Sequence, residues 1–423
     1  MSLQEILQSF YQLQSSGIKL GLENMRALSE ALSHPEEDLE FIHVAGTNGK
    51  GTCCAVLESI LRNAGYRTGL FISPHLLRFN ERIQIAGESI TDDDLVAGLK
   101  HLQAVIQELK KNGTEVTFFE ASTGLALHLF RQKGVEIVVW ETGLGGRLDS
   151  TNIVNPLCSI ITAIGKDHSE FLGQDLVSIA GEKAGIIKKG RPVVYLKDPE
   201  HPEVDQLFEE KARALGSSFQ GIDRTKSIRL DRDRWSTFFG EPERELTLCG
   251  ESHAYNAQLA LAGISELKQI GKRIPDESIE EGLKTVKWAG RFQRLRIDPP
   301  LVLDGAHNPQ SIECVLKTWN VLFGAPPGKV IFGCLKEKDY PEMIERIDHK
   351  ETRIELVPVN SPRSLKPNEL HSYFVNSEVT ERVNVQVALD HELQNPSPKG
   401  CLVTGSLFLA AEVLQMEAFS NEN

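Results

Sequence analysis

The sequence predicts a two-domain α/β protein, in which a larger domain on a mostly parallel sheet is followed by a smaller, doubly wound Rossmann-like domain. Three observations lead there. Short apolar runs rich in β-branched residues alternate with longer amphipathic stretches, the pattern of strands joined by crossover helices. The chain has 423 residues, more than one ordinary core holds. The apolar runs also fall into two series, with a break near residues 286–296.

In the first series the strands are Phe41–Ala45, Gly69–Ile72, Glu136–Trp140, Cys158–Ile164 and Pro192–Leu196. Four of them end in polar punctuation: a glycine-rich loop, Ser73, Glu141, and the pair Asp167 and His168. Open parallel sheets bind ligands at the carboxyl ends of their strands, so these four marks are expected to converge although they are far apart in sequence. The second series is Leu301–Leu303, Val330–Gly333, Arg353–Val357 and Cys401–Thr404, with helical patterns at Gln310–Leu322 and Phe408–Met416. The hinge is placed in Val286–Arg296, which divides the chain into residues 1–288 and 289–423.

Composition narrows the function. With 40% hydrophobic and 25% charged residues the chain reads as soluble and globular. A formal net charge of −13 argues against a nucleic-acid binder, yet local lysines and backbone N–H groups can still hold an anionic small molecule. No apolar stretch approaches the ~18 residues of a membrane span, and MSLQEILQSF lacks the basic head of a signal peptide. The seven cysteines are odd in number and form no CxxC pair, which disfavours both a disulfide framework and structural zinc. A cytoplasmic, monomeric protein without membrane or nucleic-acid partners is the expectation.

The most informative segment is His43-Val-Ala-Gly-Thr-Asn-Gly-Lys-Gly-Thr52, between a strand and a helical pattern at Cys53–Asn63. Its glycines let backbone N–H groups of Gly46, Thr47, Asn48, Gly49 and Gly51 turn toward a phosphate chain, and the helix N-terminus adds positive potential. Lys50 would neutralise the outer phosphates and the Thr52 hydroxyl would meet Mg²⁺, making this a P-loop ATPase domain. Gly51 intervenes where the usual loop runs from lysine straight to Ser or Thr. The plain alternative is a glycine-rich turn, in which a lysine has little structural purpose.

The loop in its GTNGKGT form resembles that of the Mur ligase superfamily, and further motifs resemble its folylpolyglutamate synthase/dihydrofolate synthase branch. These are Gly21-Leu-Glu-Asn-Met25, Ser73-Pro-His-Leu-Leu-Arg-Phe-Asn-Glu-Arg-Ile83, Glu141-Thr-Gly-Leu-Gly-Gly-Arg-Leu-Asp-Ser-Thr-Asn152, Asp167-His168 with Leu172-Gly173, Glu182-Lys-Ala-Gly-Ile186 and Leu303-Asp-Gly-Ala-His-Asn-Pro309. They span about residues 10 to 415.

The resemblance implies ATP-dependent ligation of L-glutamate to dihydropteroate or a reduced folate, with ATP between two domains. It implies two Mg²⁺ ions, with Mn²⁺ as a substitute, held by Thr52, Ser73, Glu141, His168 and Lys183. Lys183 would act as a carbamate made with CO₂. Read alone, Lys183 in a helical segment is a solvated surface residue, Ser73 is a helix cap, His168 is a loop histidine, and Glu141 pairs with Arg147. The resemblance further implies adenine contacts from His253 and Asn256, phosphate and ribose contacts from Arg291 and Asp304, and His307 beside them. Ala289 stands where the family has proline. Thr117, Phe119 and Asp149 resemble the pterin-binding positions, though one of Phe118 and Phe119 belongs in the core. Another Mur-type amino-acid ligase, or a P-loop ATPase or phosphotransferase without ligation, are the alternatives. Cell-wall Mur ligases, which carry a separate domain before the loop, are the disfavoured alternative, because only about forty residues precede it here.

Overall fold

The computed structural model describes residues 3–13, 17, 19, 21–224 and 227–419. They form two compact units, Met1–Arg224 with Tyr255–Thr285 and Thr225–Ala254 with Val286–Asn423.

The first unit is built on an eight-stranded sheet of β1 (Glu40–Ala45), β2 (Thr68–Phe71), β3 (Ile83–Ile85), β4 (Glu88–Ser89), β5 (Ile137–Glu141), β6 (Cys158–Ile161), β7 (Val193–Leu196) and β8 (Phe219–Ile222). Their order is β4-β3-β2-β5-β1-β6-β7-β8. The β3 and β4 pairings are antiparallel and the others parallel. Central strands are buried along their length, which is why they read as continuous apolar runs. Phe41, Phe71, Phe130 and Trp140 anchor one core cluster, and Ile161, Ile179, Tyr195 and Phe208 another.

Local chemistry sets the helices. Thr91 caps Asp92–Lys111 by accepting from Asp94 N, with three aspartates in the first turn and two lysines in the last, matching the helix dipole. The glycine-loop helix runs Lys50–Asn63, starting earlier than the predicted Cys53. The predicted strand to Ile164 ends at Ile161, because Ala163 O leaves the sheet to accept from Thr47 N (2.8 Å) and Asn48 N (3.3 Å).

The second unit holds a six-stranded sheet of β12 (Gln293–Arg296), β13 (Leu301–Leu303), β14 (Lys329–Phe332), β15 (Arg353–Leu356), β16 (Glu378–Glu381) and β17 (Cys401–Thr404). The order is β12-β13-β17-β14-β15-β16, parallel except for β12. A three-stranded antiparallel sheet, β9 (Ile228–Asp231), β10 (Ser236–Phe239) and β11 (Arg244–Leu246), belongs to this unit. It was not foreseen: its strands are three or four residues long, and β9 and β11 each carry two charged residues. No helix among the described residues is long and apolar enough to cross a membrane.

Candidate active site

The phosphate loop is shaped by its neighbours. Gly46 has φ +153°, and a Cβ there would collide with Thr162 Oγ1. Gly49 has φ +89°, and a Cβ there would collide with the Asn256 amide. Both positions therefore exclude side chains on conformation and on space. Gly49 is the N-cap of the helix Lys50–Asn63 and no side chain caps it. The first-turn N–H groups lack intrahelical acceptors, which makes this end an anion site. Lys50 Nζ donates to Gly46 O (3.1 Å) and Thr47 O (3.3 Å), folding back over the loop.

Strands β2, β5, β1 and β6 are neighbours, so the four polar strand ends do converge. The register is level, with Phe71 opposite Trp140, Val44 opposite Glu141 and Ala45 opposite Ile161. Glu141 is 4% exposed and accepts from Ser73 N at 3.1 Å. Ser73 caps no helix here. Arg147 pairs with Glu182 (2.8 Å), so it is not the structural partner of Glu141. Thr52 is buried in the helix's first turn. His168 lies half-exposed beyond β6 at φ +54°, its amide bound to Asp167 Oδ1 (3.0 Å).

Lys183 ends the helix Leu176–Lys183 and is 4% exposed, not a surface residue. Its Nζ donates to Gly46 O at 2.9 Å, the oxygen that Lys50 also reaches. Burial, reinforced by the Lys50 charge and opposed by Asp167 and Asp149, brings its pKa down to about 7. Among the set Thr52, Ser73, Glu141 and His168 the donors are one carboxylate, two hydroxyls and one imidazole. That chemistry, with the carboxylate of Glu141 buried, fits a hard divalent ion such as Mg²⁺.

The loop after β5 is held from within. Asp149 Oδ2 accepts from Gly143 N (3.0 Å) and Leu144 N (2.7 Å), and Oδ1 from Thr151 N (3.0 Å) and the Thr151 hydroxyl. Thr117 caps the helix Phe118–Gln132 in a reciprocal box with Glu120. The Phe119 ring lies against Gly143, whose Cβ position it would occupy, and 6.0 Å from Phe71. Phe118 packs with Phe10 and Tyr11 and is the core member of the pair.

In the second unit, His253 is buried with Nδ1 unpartnered, and burial followed by the Arg291 charge lowers its pKa to about 4. Asp304 accepts from Phe292 N and Ala306 N, each at 2.7 Å, and burial raises its pKa while Arg291 pulls it back. His307 Nδ1 meets Gly305 O at 2.9 Å. Asn308, rather than the loop as a whole, caps the helix Pro309–Phe323. Asn256, in the first unit, touches the phosphate loop at Gly49.

Sequence reading missed Thr162, Arg82 and the inward-facing His43. Arg82 lies inside a quoted motif but is 8% exposed, with Nε on His75 Nδ1 (2.8 Å) and its pKa lowered to about 10 by burial. Thr162 directly follows the observed end of β6 but lay inside the longer predicted strand, so no sequence signal marked it.

An uncapped phosphate loop beside a buried carboxylate, followed by a second α/β unit, defines an ATP-using ligase of the Mur type. The Mur ligase middle domain matches residues 44–264 and the Mur ligase glutamate ligase domain residues 290–407. The dihydrofolate synthase/folylpolyglutamate synthase of Bacillus subtilis (strain 168) is 35% identical over 410 residues, 94% of this chain and 95% of that protein. A solved FPGS–AMPPCP complex superposes with a TM-score of 0.85 at 30% identity, covering 98% of this chain and 99% of that one. The E. coli FolC structure with DHPP and ADP gives 0.83 at 29%, covering 98% and 97%. The chain belongs to the folylpolyglutamate synthase/dihydrofolate synthase family of Mur ligases. It is an ADP-forming acid–amino-acid ligase with ATP as co-substrate.

Proposed function

We propose that this ligase joins L-glutamate both to dihydropteroate and to reduced folates. A carboxylate resists attack by an amine until it is activated. The acceptor carboxylate oxygen attacks the γ-phosphorus of ATP and ADP departs, leaving an acyl phosphate. The glutamate amine then attacks the acyl carbon, and inorganic phosphate leaves with the former carboxylate oxygen. The observation that carries this reading is the meeting of the uncapped phosphate loop, two lysines and the buried Glu141 at adjoining strand ends.

The first-turn amides and Lys50 receive the phosphates, holding two anions in line for transfer. Thr52, Ser73, Glu141, His168 and a carbamylated Lys183 would hold two Mg²⁺ ions, which screen phosphate charge when bound. Lys183 is suited to modification because burial lowers its pKa to about 7, so near neutral pH a large share of its amine has a free lone pair. The amine adds to CO₂, forming an N–C bond and releasing one proton. His253, Asn256, Arg291, Asp304 and His307 are assigned to the nucleotide, and the Thr117–Phe119 turn to the flat heterocycle, where the ring of Phe119 offers an apolar face. We assign the enzyme to the cytoplasm and to a monomeric state.

The test is ADP release by purified protein, with dihydropteroate and tetrahydrofolate assayed side by side. Release that requires ATP, a divalent metal, glutamate and either acid is the expected result. Release independent of glutamate and acid would mean an ATPase or phosphotransferase, and release with only one of the acids would remove the dual activity.

A further inference from the structure

Two aromatic residues of the second unit hold left-handed backbone conformations, and they are stacked on each other. Trp235 has φ +56° and Phe292 φ +42°, a region that is unfavourable for any residue with a Cβ unless its neighbours hold it there. Trp235 closes the turn between β9 and β10, and Phe292 stands directly before β12. Their rings are nearly parallel, 15° apart with centroids 5.4 Å from each other.

Both backbone groups of Phe292 are engaged by side chains. Its N–H donates to Asp304 Oδ2 (2.7 Å), and its carbonyl accepts from Trp235 Nε1 (2.9 Å). The turn that presents Trp235 is itself tied down. Asp231 Oδ1 accepts from the amides of Asp233 (3.1 Å) and Arg234 (3.0 Å), and the Arg294 guanidinium lies 5.1 Å from the Trp235 ring. Packing alone would account for the stacked rings. It does not require the indole N–H to end on the backbone of the residue that follows Arg291.

What Phe292 orients is Arg291. On the other side of the arginine, Gly290 has φ +67° and its carbonyl accepts from Gly305 N (2.9 Å). Between these two left-handed residues the chain turns back, and Arg291 Nη1 comes so near Gly305 that a Cβ there would lie 3.0 Å from it. The pKa values of His253 and Asp304 are shifted first by burial and next by the charge of Arg291. Rotation of Phe292 to negative φ would turn the Gly290–Arg291 segment relative to β12 and carry the guanidinium off Gly305. We propose that Trp235 is a positioning residue for ATP, acting through the left-handed Phe292 to hold Arg291 against the phosphates. The small sheet of β9, β10 and β11 thereby gains a part in nucleotide binding. This rests on the assignment of Arg291 to the nucleotide.

The test is a double-mutant cycle on the full chain with Trp235→Leu, Arg291→Ala and the two combined. It is read as affinity for AMPPCP with Mg²⁺ by calorimetry, and as KM for ATP and for the pterin acid. Arg291→Ala is expected to weaken AMPPCP binding about tenfold or more, the scale of one charge-assisted contact. Trp235→Leu is expected to weaken it about fivefold and to raise KM for ATP alike, with KM for the pterin acid within about twofold. The double variant should stay within about twofold of Arg291→Ala, because the tryptophan has nothing left to position. Trp235→Phe, which keeps a ring on Phe292 but lacks the donor, should fall between wild type and Trp235→Leu. Losses that multiply in the double variant, or unchanged affinity in Trp235→Leu beside a weakened Arg291→Ala, would overturn the positioning role alone. Full affinity in Arg291→Ala would remove Arg291 from the nucleotide and take the proposal with it. Should Trp235→Leu not fold, Trp235→Phe in the same cycle decides the question.

Discussion

Two lysines, Lys183 in the first unit and Lys329 in the second, are equally buried at 4% exposure and have opposite chemistry. Lys329 Nζ sits 2.9 Å from Glu392 and 3.4 Å from Glu355, inside a network that also engages Arg296 and Arg382. Burial pulls its pKa down, but the Glu392 hydrogen bond and the two carboxylate charges outweigh burial and leave it raised. Lys183 has one carbonyl oxygen and a neighbouring ammonium, and among the described residues no carboxylate lies within ion-pair reach. A charge buried with its partners holds a fold together. A charge buried without them is a candidate for chemistry that removes or inverts it.

The sharpest way to break this contrast is to change Lys183. Lys183→Ala is expected to lose at least about a hundredfold in kcat, the scale of removing a group that stabilises transition-state charge. A small carboxylic acid added to the assay should restore part of that loss. Lys183→Arg should be as inactive as Lys183→Ala and beyond rescue, because a fixed cation cannot take the place of an anion. Near-normal activity in Lys183→Arg would make the residue a simple cation.

Lys329→Met should act on stability instead. It leaves Glu392 and Glu355 with their arginine partners, Arg296 and Arg382, but without the lysine, a loss of about 1–3 kcal/mol. Chemical denaturation would show it as a lower midpoint, with kcat per folded molecule unchanged. Lys183→Met, in contrast, should not lower stability at neutral pH. A fall comparable to that of Lys329→Met would erase the distinction.

Lys50→Ala should lower kcat about tenfold or more, the loss of a charge-assisted phosphate contact worth about 1.5–3 kcal/mol. A folded, fully active variant would remove Lys50 from the phosphate site.

The smallest effect is on pH dependence. Lys183 in the unfolded chain titrates near the ordinary lysine value of 10.5, and in the folded protein near 7. Between these values the unfolded state binds the extra proton, so stability rises with pH there, and below about 7 the full penalty applies. Wild-type stability relative to Lys183→Met should therefore rise by up to about 1.4 kcal/mol per pH unit above neutrality. Urea titrations at pH 7, 8 and 9 would reveal a flat difference if Lys183 titrates normally.

The contrast also marks what could be read in the chain. β1, β5, β13 and β17 were legible because strands buried on both faces give unbroken apolar runs. The phosphate loop was legible because backbone geometry demands glycine at Gly46 and Gly49. The convergence of Ser73, Glu141 and the β6 exit followed from strand polarity alone. The burial of Lys183 was not legible, since it closes a helix whose periodicity does not tell an inward lysine from an outward one. Nor were the hydrogen bonds of Asp149 within its own turn, which depend on how that turn folds around the carboxylate. Thr162 carries no motif, because what it provides is a single side-chain oxygen packed against Gly46.

The most direct test of the central contrast is ¹³C NMR of the protein equilibrated with ¹³C-bicarbonate near pH 7.5, wild type beside Lys183→Arg and Lys329→Met. A carbamate carbonyl signal present in wild type and Lys329→Met but absent in Lys183→Arg is the expected result. A signal that survives Lys183→Arg, or no signal in a wild-type sample that is actively forming product, would contradict it.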